Sequence, residues 1–105
     1  MYSMKRRYDS LQDFFLCYFH PDWQLDAASW PEVVKDFVDT AAPSLIAGVV
    51  ADLREIIMEP GYDAHLAATV VREYSLSYEP SQDGLSMRDW LKAVLAELEN
   101  CSIKN

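Results

Sequence analysis

The fold of this chain turns on a stretch that starts as an apolar helix pattern and then breaks it, LCYFHPDWQLD at residues 16–26. Pro21 disfavours helical backbone at His20 and has no amide hydrogen to donate, so the preceding helix is expected to end there. Asp22 is expected to accept hydrogen bonds from the freed amides, as in an Asx turn. Trp23 is expected to fold back onto the apolar face of that helix. The stretch therefore predicts a helix stop closed by an aromatic plug.

The same stretch also collects residue types that build catalytic and metal sites. Cys17 and His20 are three residues apart at a helix end, and Asp22 could orient the imidazole of a nucleophile–base pair. No recognisable oxyanion or phosphate-binding loop accompanies them. A metal site made from His20, Asp22, Asp26 and the distant His65 would lack HxxxH or HExxH spacing. We therefore predict no catalytic residues, no metal and no cofactor, with a structural His20 and a buried, inert thiol at Cys17.

Helical periodicity recurs along the rest of the chain. The strongest signal follows Pro43, where apolar residues repeat at i, i+1 and i+4 from Leu45 to Ile57. Ser–acid capping boxes or a capping Asp predict the other helix starts, at Ser10, Ser29, Asp63 and Ser86. The alternation of Leu76 and Tyr78 is too short to indicate a sheet.

These patterns predict an all-α fold, a compact bundle of about five helices. The bundle is expected to form a single domain over residues 1–105, with residues 1–7 flexible. The core is expected to be anchored by Trp23, Trp30 and Trp90.

The charge distribution restricts the possible partners. Seventeen acidic residues against nine basic ones give a net charge of −8, and residues 9–63 hold eleven acids and only two bases. Such a surface repels a phosphate backbone, so direct nucleic-acid binding is not expected. It can steer a basic protein partner, although an acidic helix face can equally be no more than a solvated surface.

Compartment and redox state follow from the remaining composition. No segment approaches the ~20 apolar residues of a membrane helix, so no membrane partner is expected. Asp13 interrupts the apolar stretch after the basic start MYSMKRRYDS, which makes a poor secretory signal and predicts a cytoplasmic protein. Cys17 and Cys101 show no metal-ligand or CxxC spacing and are expected to be free thiols, with a disulfide between the first and last helices left as the alternative.

Two blocks of the sequence resemble one known family. The first block matches a YFHxDW core at Tyr18, Phe19, His20, Asp22 and Trp23. The second matches a YxPxxDG pattern at Tyr78, Pro80, Asp83 and Gly84, followed by a Trp-Leu pair at Trp90 and Leu91. The chain thus resembles, from about Leu11 to Leu98, the small helical immunity proteins of contact-dependent growth inhibition systems in Gram-negative bacteria. It departs from the pattern at Ser75, Leu76 and Ser77, where the family has a Gly-Cys pair.

The resemblance implies an inhibitor and not an enzyme. Such proteins bind the C-terminal toxin domain delivered by sibling cells, often a nuclease, and here most simply an RNase. The partner is then a cognate toxin domain, expected to be basic, bound by one immunity protein monomer in a heterodimeric complex. The shared motif residues are expected to specify the scaffold, and toxin contacts are expected at two acidic stripes, Glu32–Asp36–Asp39 and Asp52–Glu55–Glu59. The alternative is a small helical adaptor or secretion chaperone that binds a partner peptide in an apolar groove.

Overall fold

The computed structural model describes residues 8–104, except for the side chains of Asp26 and residues 102–104. The prediction that residues 1–7 are flexible lies outside this range. The helices are α1 (Asp9–Tyr18), α2 (Trp23–Asp26), α3 (Trp30–Thr40), α4 (Pro43–Ile57), α5 (Asp63–Tyr74) and α6 (Met87–Lys104), with a 3₁₀ helix at Pro80–Asp83. No strand occurs in the described range, which confirms the predicted all-α fold of five longer helices, here with one extra single-turn helix.

Helix α6 forms the centre of the bundle. It packs against α3, α4, α5 and the 3₁₀ helix, while α1 lies across α4 and also contacts α5 and α3. The inward side of α6 carries Trp90, Leu91, Val94 and Leu98, all fully buried. Each of the longer helices therefore reaches the same core through one apolar face.

Most helices begin close to the predicted residues, but few of the predicted capping hydrogen bonds form. Pro residues occupy the first turn of both α3 and α4, where a missing amide hydrogen costs nothing. Ser86 caps α6 as predicted, because its Oγ accepts the Asp89 amide at 3.1 Å. At α3 the predicted capping box does not form, because the Ser29 hydroxyl makes no capping bond and Glu32 accepts the amide of Ala28, at 3.1 Å, and not that of Ser29. The Ser10 box is wrong, because the N-cap of α1 is Tyr8, two residues earlier, and Ser10 lies within the first turn of the helix.

Asp63 begins α5 but does not cap it, contrary to the sequence prediction. Its two carboxylate oxygens instead accept the amides of Met87 at 3.0 Å and Arg88 at 2.8 Å, at the start of α6. A carboxylate is favourable there, because the free amides and the helix dipole present positive charge. The Arg88 guanidinium in turn donates to the carbonyl of Ile57, at the end of α4. These hydrogen bonds thereby join the C-terminal end of α4 to the N-terminal ends of α5 and α6.

Gly48 allows α1 to approach α4 closely. A Cβ atom at this position would lie 2.4 Å from the Ser10 Oγ and 3.0 Å from the Ser10 Cβ. Glycine inside a helix costs about 1 kcal/mol relative to alanine. That cost is offset here by the close packing of α1 against α4. The same packing fixes the position of α1 and of the turn that follows it.

Ser75 turns the chain out of α5 in the left-handed conformation, with φ of 63°. It is the only residue other than glycine with a positive φ in the described range. This conformation suits glycine because it has no Cβ. It lies within the Ser75–Ser77 stretch, where the sequence departs from the pattern of the family it resembles.

Replacing Ser75 by Gly is expected to raise the free energy of unfolding by about 1 kcal/mol, since it removes the steric cost of the left-handed turn. Ser77→Gly is the matched control. Ser77 lies in the segment after the turn and does not have a positive φ, so glycine there is expected to lower stability by about 0.5–1 kcal/mol. Urea unfolding followed by circular dichroism measures both changes. A Ser75→Gly variant that is neutral or less stable would contradict the strain assigned to this turn.

Candidate functional site

The turn between α1 and α2 is built by His20 as well as by Pro21. Helix α1 ends at Tyr18, and the Phe19 amide still donates to the Phe15 carbonyl at 2.9 Å. His20 then accepts two hydrogen bonds, one from the Asp22 amide to its Nδ1 at 3.1 Å and one from the Trp23 amide to its carbonyl at 3.0 Å. The predicted Asx turn is wrong, because the Asp22 side chain makes no capping bond. The His20 imidazole, and not the Asp22 carboxylate, therefore accepts a backbone amide at this turn.

The buried half of the motif joins an aromatic cluster around Trp90. The Trp90 ring lies 6.0 Å from Phe15, 5.4 Å from Phe19 and 5.0 Å from Tyr78, measured between ring centroids. Trp23 packs edge-on against Tyr78 at 5.5 Å. Each such pair contributes about 0.5–1.5 kcal/mol beyond the area it buries. No acceptor within the described residues reaches the indole nitrogen of Trp90, so the ring is held by packing alone.

The second motif block contributes Tyr78 to this cluster and forms the 3₁₀ turn that follows it. The Tyr78 hydroxyl donates to the Asp83 carboxylate, Pro80 is buried, and the Leu85 amide donates to the Pro80 carbonyl at 3.1 Å. Gly84 ends the 3₁₀ helix with φ of 76°. Burial raises the pKa of Tyr78, and the hydrogen bond to the Asp83 carboxylate raises it further. The phenol therefore stays protonated and remains a donor at physiological pH.

The structure corrects the prediction for Cys17. Its thiol is exposed, because the buried face of α1 carries Leu11, Phe14 and Phe15, and Cys17 lies on another side of the helix. Cys101 is partly buried, with its thiol 4.0 Å from a Glu97 carboxylate oxygen. Both cysteines are free, as predicted.

The acidic stripe predicted on α4 is largely engaged within the fold. Asp52 accepts the Leu11 amide at 3.0 Å, and Glu59 accepts the Tyr8 hydroxyl. Asp52 thus caps α1 from a neighbouring helix. Burial raises the pKa of Asp52, although the backbone hydrogen bonds it accepts act in the opposite direction. Of this stripe only Glu55 is exposed.

The acidic stripe predicted on α3 is exposed along its whole length. Glu32, Asp36 and Asp39 lie at steps of four and three residues on the outer side of the helix, opposite its buried Val33, Val34 and Phe37. Among the described residues, neither Asp36 nor Asp39 forms an ion pair. The structure therefore gathers three carboxylates on one solvent-facing surface.

A groove connects this surface to the turn. One end, with a volume of about 330 Å³, is lined by Tyr18, His20, Trp23, Val33 and Asp36. The other end is lined by Glu32, Lys35, Asp36 and Asp39. Asp36 and Ala27 line both depressions, which are therefore adjacent and are together called the α3 groove. Sequence periodicity identified its acids but could not show that the exposed part of the turn lies beside them.

The described part of the chain contains neither a metal-ligand cluster nor a helix suited to span a membrane. No group of three or more His, Cys, Asp or Glu residues there is placed to hold a metal ion. None of the helices in that part has the length and apolarity required to cross a bilayer.

Comparison with known proteins defines the family. The family model described as CdiI immunity protein matches residues 7–98. The chain therefore belongs to the CdiI immunity protein family, whose members are inhibitors that bind toxins and are not enzymes. This confirms the resemblance carried by the two sequence blocks.

The solved structures contain a similar fold. A chain in the crystal structure of the CdiA-CT/CdiI complex from Y. kristensenii 33638 superimposes with a TM-score of 0.82 and 18% sequence identity. The match covers 89% of this chain and 99% of that chain. At this identity the likeness shows a shared fold. No curated protein matches the sequence.

The role of Asp52 predicts a measurable dependence of stability on pH. Because its pKa is raised in the folded state, protonation stabilises the fold, and this stabilisation is lost as the pH rises through the folded-state pKa. Asp52→Asn, which keeps the acceptor oxygen without the charge, is therefore expected to unfold at higher urea than the wild type at pH 7. That advantage should shrink as the pH falls towards 3.8, the ordinary pKa of the side chain.

Asp52→Ala is the control for the cap itself. It is expected to lower the free energy of unfolding by about 1 kcal/mol at pH 7, because it leaves the Leu11 amide without its acceptor. Urea unfolding at a series of pH values measures both variants. An Asp52→Asn variant less stable than the wild type at pH 7 would show that the charge itself stabilises α1.

Proposed function

We propose that this immunity protein neutralises a basic nuclease toxin, most simply an RNase, and that it binds the toxin through the acidic outer face of α3. The observation that carries the proposal is the exposure of Glu32, Asp36 and Asp39 together on that face. The family supplies the toxin as partner, and the charge of this chain indicates what kind of toxin surface fits.

Electrostatics favours a nuclease over other toxin classes. A nuclease must hold a polyanion, so its substrate groove carries an excess of Lys and Arg. An inhibitor with a net charge of −8 and carboxylates on a rigid helix can occupy such a groove and be steered to it from a distance. Leu25, which is 83% exposed, lies in α2, the same helix that supplies Trp23 to the groove. It offers apolar area of the kind that protein interfaces bury near their centre.

The α4 acids are a weaker part of the proposed surface. Asp52 and Glu59 already serve as acceptors for α1 and Tyr8, and a toxin cation would have to compete with those bonds. Glu55 is exposed and extends the surface. We place the complex in the cytoplasm, where a nuclease toxin would meet its substrate, with one immunity monomer bound to one toxin domain.

The proposal is tested by neutralising the face without disturbing the fold. Asp36→Asn combined with Asp39→Asn is expected to weaken binding to the purified cognate toxin domain about tenfold, mainly through slower association at low salt. Glu79→Lys is the matched control, since it changes the net charge by the same amount at an exposed position outside the groove. Surface plasmon resonance at several salt concentrations measures both variants.

The proposed nuclease activity is assayed with the same purified proteins. The toxin domain is expected to degrade RNA, and the wild-type immunity protein is expected to block that cleavage. Equal, salt-insensitive binding of the double variant and the control would contradict the α3 face as the binding surface. A toxin domain that cleaves neither RNA nor DNA would contradict the nuclease assignment and leave family membership intact.

A further inference from the structure

The α3 groove combines two kinds of chemistry that are seldom adjacent on a protein surface. Its outer end carries the carboxylates of α3, and its inner end is lined by the half-buried Tyr18 and His20 and by Trp23, of which only 6% is exposed. Asp36 lies at the junction and borders both ends. The inner end, at about 330 Å³, is at the lower limit of ligand pockets and suits a single long side chain.

The walls of this groove are held in place by the fold. The Tyr18 hydroxyl and the Thr40 Oγ1 lie 2.6 Å apart, and Thr40 also donates to the Asp36 carbonyl at 2.8 Å. The Tyr18 ring packs edge-on against Phe37 at 5.1 Å, and the Trp23 ring packs against Phe19 at 5.7 Å. A side chain that enters the groove therefore meets surfaces that do not have to be ordered first, which lowers the entropic cost of binding.

The negative charge of the groove is balanced by few neighbouring cations. Lys35 is the only cationic Lys or Arg side chain along it in the described part of the chain, and it forms no ion pair with Asp36 or Asp39 there. The ligand that complements a carboxylate beside aromatic rings is a cation that also has an apolar, planar face.

We propose that the inner end of the α3 groove is a docking pocket for an arginine side chain of the partner, with Asp36 and the aromatic wall as its specificity-determining residues. The inference rests on the proposed function and names the chemistry of the toxin residue that the face recognises. A guanidinium pairs with a carboxylate through two parallel hydrogen bonds and stacks on aromatic rings. An ammonium is more strongly hydrated and gains less from leaving water for such a wall.

Arginine selectivity is tested without the toxin, so that its failure is separable from failure of the proposed function. The ¹⁵N-labelled protein is titrated with N-acetyl-arginine amide and, in parallel, with N-acetyl-lysine amide, which has the same charge. The amides of Tyr18, Ala27 and Asp36 and the indole N–H of Trp23 are expected to shift. The arginine derivative is expected to bind about fivefold more tightly than the lysine derivative.

Two variants locate the pocket. Asp36→Asn is expected to abolish the preference for arginine, whereas Glu79→Gln, which removes one exposed acid outside the groove, is expected to leave it unchanged. Heteronuclear spectra without ligand report whether each variant is folded. Equal shifts with both derivatives, or shifts outside the groove only, would overturn the proposal. A protein that fails this test but still binds its toxin through α3 would retain the proposed function.

Discussion

The packing of aromatic rings around Trp90 is the contact on which the rest of this structure depends. Phe15 and Phe19 come from α1 and its C-cap, Tyr78 comes from the segment after α5, and Trp30 approaches at 6.1 Å from the start of α3. Three parts of the chain therefore meet on one side chain of the central helix. Because the Trp90 N–H makes no hydrogen bond within the described residues, this meeting relies on shape and burial.

The shared sequence motif has two faces with different tasks. Phe19 and Trp23 point into the cluster, while His20 is half-buried and Asp22 is exposed at the surface. The turn that positions the buried rings also sets one wall of the α3 groove, because Trp23 and His20 both line it. We interpret the motif as a scaffold element that additionally orients the surface beside it. A substitution in this part of the core is thus expected to alter the shape of the groove.

The elements that follow local rules were predictable from the sequence, and those set by tertiary contact were not. Pro21 stops α1, and Pro43 opens α4, because proline constrains the backbone whatever surrounds it. Asp63 was assigned to the nearest helix start, but its carboxylate reaches the start of α6, which is 24 residues further along the chain. Cys17 was expected to be buried from the density of aromatic neighbours, although exposure depends on the side of the helix on which a residue lies.

The candidate site was predictable in its charges and not in its shape. The spacing of Glu32, Asp36 and Asp39 fixes them to one side of a helix, so periodicity alone identified that surface. The same reasoning placed Asp52 and Glu59 on a polar face and could not reveal that α1 packs over it. Likewise, the adjacency of the turn to α3 is a product of folding, and no local pattern encodes it.

Coverage of the α3 groove by the toxin is tested most directly by hydrogen–deuterium exchange with and without the cognate toxin domain. Toxin binding is expected to slow exchange at residues 18–27 and 30–40 and to leave α5 and the 3₁₀ helix unchanged. Protection confined to α5 and the 3₁₀ helix, with exchange in α3 unaltered, would contradict it.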